Sequence, residues 1–225
     1  FTTASFAKHT SLFTCQQTPS IDDDQQYGFI QYFVRVTIPL PGKESTPARF
    51  IKEIIVQSPI TDNLLITVGG SAEKSVLLQG GQNVSMHASL GRKGFYPGET
   101  ITVHVSVKNG TKSAVVTPRV TLHQVQIFMC GSRHKTIETT IGEATLGTAV
   151  QPGGDVEELL SLVVPADESL TIKSSVISVK YFVHCTLDIP LSIDLHTNLS
   201  VIITSRDVIE AAAADRKVQP SIKAV

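Results

Sequence analysis

The sequence predicts an all-β chain dominated by one antiparallel sandwich over residues 82–204. Apolar residues recur at every second position in segment after segment, the pattern of strands with one face on a core and one in water. Gly, Pro and Asn punctuate these segments at hairpin-like intervals. Helical periodicity is confined to one short stretch near the C-terminus.

Phe29 to Ile38 reads as a long strand with Ile30, Tyr32, Val34, Val36 and Ile38 on one face, and Phe50 to Gln57 reads as another. The first 28 residues add few periodic apolar positions, and two strands do not make a stable unit alone. Pro59 to Gly70 is the expected boundary. Val84, Met86, Ala88 and Leu90 open the main series, and Ile101, Val103, Val105 and Val107 repeat it opposite Thr100, Thr102, His104 and Ser106. Asn109-Gly110 has the chemistry of a type I′ hairpin, in which both central residues take positive φ. Pro118 marks the next strand as an edge, and a slip of apolar phase between Leu122 and Val125 suggests a bulge. Ile177, Val179, Tyr181, Val183, Cys185 and Leu187 form the longest row, and Leu199, Val201 and Ile203 close the series. Asp207 to Glu210 has capping-box spacing before four alanines, giving about two turns of helix that would need docking to persist.

Composition excludes several classes of protein. Charged residues are 17% of 225 and hydrophobic ones 41%, a balance that argues against a disordered chain. The formal net charge of −1 provides no global attraction to nucleic acid or anionic membrane. Apolar runs are strand-sized, too short for a membrane helix, and no signal-like stretch opens the chain. Cys15, Cys130 and Cys185 are sparse, odd in number and unpaired by motif, as suits a reducing compartment. Asn-x-Ser/Thr triplets at Asn83, Asn109 and Asn198 point the other way, toward secretion. A start at Phe1 within irregular polar sequence suggests a piece of something longer.

Two segments carry a family resemblance. Ser89-Leu90-Gly91-Arg92-Lys93-Gly94-Phe95-Tyr96-Pro97-Gly98-Glu99, followed by the alternating valines up to Asn109, resembles the opening of the C-terminal arrestin domain. Tyr27-Gly28-Phe29-Ile30-Gln31-Tyr32-Phe33-Val34-Arg35-Val36 resembles the Gly-x-Ile-x-Tyr-x-Val strand near the end of the N-terminal one, and Ile189 to Leu195 adds a weaker match. The resemblance is strongest to the arrestin domain-containing, or α-arrestin, branch. It implies an Ig-like β-sandwich of arrestin type with a partial second sandwich at the N-terminus. The expected division is residues 1–58 for that partial domain, 59–74 for a linker, 75–206 for the C-terminal sandwich and 207–225 for a tail with a short helix. It further implies a non-catalytic cytoplasmic adaptor, peripheral to the plasma membrane or endosomes. Such an adaptor binds membrane-protein cargo tails and, through the full-length protein, ubiquitin-ligase machinery. The chain has no Pro-Pro pair, so it lacks the Pro-Pro-x-Tyr ligase-docking motif of α-arrestin tails. The competing reading is an extracellular Ig-like adhesion or structural module, which the Asn triplets favour.

No catalytic, cofactor-binding or metal-binding residues emerge. His184 and Cys185 are adjacent, so in a strand they face opposite sides and form no dyad. Asp22-Asp23-Asp24 lacks the spaced ligands and glycine of a calcium loop, the histidines lack ligand spacing, and Gly69-Gly70 and Gly80-Gly81 lack the lysine and helix of a phosphate loop. One binding candidate stands out. Arg119, Thr121 and His123 share a strand face, and the following hairpin carries Arg133, His134 and Lys135. If the two strands pair, Arg119, His123, Arg133, His134 and Lys135 form a basic patch for phosphoinositide headgroups or phosphorylated cargo. The plain alternative is a charged edge that discourages aggregation. Phe95 and Tyr96 either anchor a partner or plug the end of their own sandwich.

Overall fold

A computed structural model describes residues 3–7, 32–38, 48–54, 62–76 and 82–218. Alternating valines, leucines and isoleucines pleat into thirteen strands among these residues, followed by a single helix. The first three, β1 (Thr3–Ala7), β2 (Tyr32–Ile38) and β3 (Ala48–Ile54), form an antiparallel sheet with β2 in the middle. Strand β2 lies within the segment Phe29 to Ile38, β3 overlaps Phe50 to Gln57 but begins at Ala48, and β1 has no counterpart in the apolar pattern. The Asp22-Asp23-Asp24 run and Gly80-Gly81 lie outside the described residues.

The remaining strands build the sandwich. One sheet has the order β10 (Asp155–Val163), β7 (Thr100–Asn109), β5 (Gln82–Leu90), β4 (Val68–Val76). The other has the order β6 (Gly94–Phe95), β13 (Leu195–Ile203), β12 (Ile177–Asp188), β8 (Thr117–Cys130), β9 (Arg133–Leu146), with β11 (Ile172–Lys173) also paired to β12. All pairs are antiparallel except β13 with β6. Val84, Met86, Ala88 and Leu90 of β5 and Ile101, Val103, Val105 and Val107 of β7 point inward. They meet Val120 and Leu122 of β8, the full alternate row Ile177 to Leu187 of β12, and Leu199, Val201 and Ile203 of β13. Each such side chain contributes about 1.5–3 kcal/mol by leaving water, and this single contiguous core holds the sheets together.

Several features depart from the sequence expectations. Residues 68–74 fall in the stretch expected as a linker, yet belong to β4, which pairs with β5 from Val68 to Val76. Gly69-Gly70 reads as a break in sequence; here glycine serves close packing, because a Cβ on Gly70 would collide with Thr197 of β13. Strand β8 is interior, not an edge. Pro118 is tolerated because it sits at the strand's second position and its carbonyl accepts from Gly147 N–H. The missing N–H therefore faces β9 where that ladder has ended at Arg119↔Leu146.

Nor does the apolar phase slip after Leu122. Pro118, Val120, Leu122 and Gln124 are all buried in turn, and β8 stays in register with β12 from Thr117 to Phe128. The irregularity falls between Val120 and Leu122 on the β9 side, where Thr145 and Ile141 are the partners. Asn109-Gly110 is not a I′ hairpin, since neither residue has positive φ. Asn109 ends β7 buried and begins a crossover to the other sheet.

The helix α1 (Arg206–Val218) is longer than two turns and begins one residue before Asp207. It is docked by Ile209, which is buried with Leu64 and Ile202. None of the described helices is long and apolar enough to cross a membrane.

Candidate functional site

The glycine turn between β5 and β7 is a clasp. Arg92 donates to Glu99, whose second carboxylate oxygen accepts from Tyr96 N–H at 3.1 Å. The Arg92 guanidinium lies 5.0 Å from the centre of the buried Phe95 ring, and Arg206 of α1 lies 4.5 Å from that of Tyr96. Lys93 and Gly94 N–H both donate to Leu64 carbonyl, Lys93 pairs with Asp62 at 3.2 Å, and Thr204 N–H donates to Phe95 carbonyl. Phe95 therefore plugs its own sandwich, and Tyr96 is a bed for Arg206. The turn ties residues 62–64, the end of β13 and α1 together.

The expected basic patch does not assemble. Arg119 pairs with Leu146, whereas Arg133, His134 and Lys135 pair with Cys130, Met129 and Phe128 at the far end of the same hairpin. At about 3.3 Å per residue, Arg119 lies roughly 30 Å or more from the hairpin end. Arg119 is also engaged with Asp188 at 3.1 Å, and His123 Nδ1 with Glu138 Oε1 at 3.0 Å. The strands pair as expected, but at fourteen residues each they are too long to bring their ends together. Arg133, His134 and Lys135 remain exposed at the hairpin tip, where Arg133 and Lys135 carry positive charge.

What the outer face of the six-stranded sheet does gather is a row of rings. His123 of β8 stacks on Phe182 of β12 with centroids 5.1 Å apart, and lies 5.4 Å edge-on from His184. His184 stacks in turn on His196 of β13 at 5.1 Å. Polar neighbours orient each imidazole: Thr121 Oγ1 at 2.9 Å from His123 Nε2, Asn198 Oδ1 at 2.6 Å from His184 Nδ1, and Thr186 Oγ1 at 3.4 Å from His196 Nδ1. Register produces this row, because Phe182 faces His123 on one side and Thr186 faces His196 on the other. Phe182 and His184 alternate along β12, the one sequence signal that could have found part of it; His196 and His123 enter only through strand pairing.

Two buried polar groups complete the site's frame. Asn109 Nδ2 donates to the carbonyls of Ala114, Val150 and Gln151 at 2.8, 3.0 and 3.2 Å, and its Oδ1 accepts from Thr111. Gln124 Nε2 donates to Glu168 and to Tyr181 Oη, and Tyr181 donates to Ser169 carbonyl at 2.6 Å. Burial pushes the Tyr181 hydroxyl above its ordinary value against the opposing effect of Gln124.

Residues 81–208, which hold strands β5 to β13, match the family described as Arrestin (or S-antigen), C-terminal domain. The chain belongs to the arrestin family. Human Arrestin domain-containing protein 4 is 26% identical over 185 residues, covering 79% of this chain and 43% of that protein. The rat protein of the same name is 30% identical over 118 residues, covering 50% of this chain and 38% of the relative. The chain thus spans less than half the length of these curated relatives, and their names place it in the arrestin domain-containing branch. Among solved structures, the sporulation control protein Spo0M of Bacillus subtilis aligns with a TM-score of 0.45 at 21% identity, over 60% of this chain and 54% of that one.

Within the arrestin sandwich, the alternatives raised by the sequence now have places. His184 lies on the outer face and Cys185 in the core, where burial pushes its thiol up to about 12. Among the described residues, no group of three His, Cys, Asp or Glu is placed to hold a metal ion. Asn109, one of three glycosylation triplets, is 1% exposed with its amide fully engaged. Asn83 and Asn198 are exposed on strands and bond Glu73 and His184.

Proposed function

We propose that this chain is the partner-binding part of a non-catalytic intracellular adaptor. It holds the cytoplasmic tails of membrane-protein cargo at the plasma membrane or endosomes and, through the full-length protein, brings ubiquitin-ligase machinery to them. The observation that carries this reading is the match to the arrestin C-terminal domain over residues 81–208, which takes in the turn from Arg92 to Glu99 and every strand of the sandwich except β4. Arrestin-family proteins act by binding, and contacts of this kind are often small and transient. Burial of Asn109 removes one of the three triplets that favoured the extracellular alternative, because its amide nitrogen already serves three backbone carbonyls.

Phosphoinositides are a second ligand class under this proposal, with Arg133, His134 and Lys135 as the contact and without Arg119 or His123. Proximity labelling by the chain in the cytosol tests the adaptor reading. Enrichment of membrane-protein tails and ligase components is the expected result, and a labelled set with neither contradicts it. Reversing charge at Arg133 and Lys135 is expected to abolish binding to phosphoinositide liposomes.

A further inference from the structure

Strand β9 is the last strand of its sheet, and only two residues connect it to β8. Gly131 takes positive φ of 61° at the first of them, where a II′ hairpin places glycine. Met129 N–H donates away from β9, to Val176 carbonyl, while Pro118 carbonyl faces the β9 side. Odd-numbered residues of β8 therefore bond toward β12 and even-numbered ones toward β9. Their β9 partners are Arg133, Lys135, Ile137 and Thr139. By alternation, the backbone N–H and C=O of His134, Thr136, Glu138 and Thr140 point to the open edge.

Among the described residues this edge is regular and uncovered from Arg133 to Thr140. It contains no proline, and the register shift falls beyond it, opposite Val120 and Leu122. Past the shift the edge closes, with Thr145 Oγ1 donating to Ser161 carbonyl of β10 at 2.7 Å. The open stretch is roughly 25 Å long, enough for an extended segment of about seven residues. Arg133 and Lys135 make the tip cationic, and both are exposed there beside His134. The one carboxylate in the stretch, Glu138, is engaged with His123.

We propose that residues 133–140 of β9 are a docking edge to which an extended acidic peptide adds as a further strand. Main-chain bonds to the four alternate residues supply affinity, and carboxylates near the tip set orientation against Arg133 and Lys135. The proposal rests on the adaptor reading and names the surface that reading lacks.

The test uses the full chain and a labelled Val/Thr peptide with aspartates grouped at one end, beside the same peptide with lysines in their place. Fluorescence anisotropy is expected to show binding of the aspartate peptide alone. Hydrogen exchange is expected to slow about tenfold or more at the amides of His134, Thr136, Glu138 and Thr140 and to leave their neighbours unchanged. Thr136→Pro removes one edge N–H while sparing the β8 ladder, and should weaken binding about tenfold. R133E with K135E should reverse the charge preference, and unchanged exchange in β12 reports that both variants are folded.

Protection outside β9, equal binding of both peptides, or full affinity in Thr136→Pro would overturn the proposal. So would protection of the same amides that grows with chain concentration in the absence of peptide, since a second copy would then be the occupant. Cargo captured in cells while these amides stay unprotected defeats the edge and leaves the adaptor. Peptide addition without any cargo does the reverse.

Discussion

Strand β8 has two neighbours that it treats alike in backbone and oppositely in side chain. On one side it pairs with β12 from Thr117 to Phe128, and on the other with β9 from Arg119 to Cys130. In β12 every second residue from Ile177 to Leu187 is buried, whereas in β9 only Ile141 is. Ladder hydrogen bonds exchange partners with water and contribute little net. Side-chain burial therefore decides which neighbour belongs to the core. One strand is structure; the other is surface held in strand form.

The largest effect that tests this contrast is a pair of truncations. Leu187→Ala in β12 should cost about 2–5 kcal/mol through lost burial and a cavity. Thr139→Ala on exposed β9 should stay within about 0.5 kcal/mol. Equal losses in urea unfolding would break the comparison.

Alkali provides a second probe of the β12 side. Burial raises the Cys185 thiol from 9.0 to about 12 and the Tyr181 hydroxyl in the same direction. The folded state thus favours the protonated forms. Their contribution is complete below the unfolded values and is lost as pH rises through about 9 to 12, by roughly 3 kcal/mol or more. Cys185→Ala, read by thermal melts against pH, should flatten part of that decline.

Asn109→Ala sharpens the contrast from the other sheet. It removes three bonds to the carbonyls of Ala114, Val150 and Gln151 and leaves the buried Thr111 N–H without its acceptor, for about 1–3 kcal/mol. The smallest effect has the opposite sign. Leu191 holds φ at 59° with its side chain 86% exposed, so Leu191→Gly should stabilise by about 0.5–1 kcal/mol in the same assay.

Strands β5 and β12, and β7 as far as Val107, are legible in sequence because their buried rows alternate without a break. Where an inward position is polar, periodicity misleads: Gln124 hides the true phase of β8, and Asn109 looks like a turn residue rather than a buried bracket. Glycine misleads too, since Gly69-Gly70 lies within β4 and Gly70 marks close approach to Thr197, not a linker. The site was less legible than the fold. Residue types on one strand face can be counted along the chain, but which strands adjoin, and at what offset, depends on pairing. That offset separates Arg119 from Lys135 and brings His123, Phe182, His184 and His196 together. The clasp from Arg92 to Glu99 was found because its residues are contiguous.

Native-state hydrogen exchange without any ligand tests the central contrast most directly. Amides of Val179 to Cys185 in β12 should exchange only through global opening. Those of Lys135, Ile137 and Thr139 in β9, which bond to β8, should exchange faster by orders of magnitude, through local opening of a strand that buries little. Uniform protection across β12 and β9 would contradict the account, because β9 would then be as much a part of the core as β12.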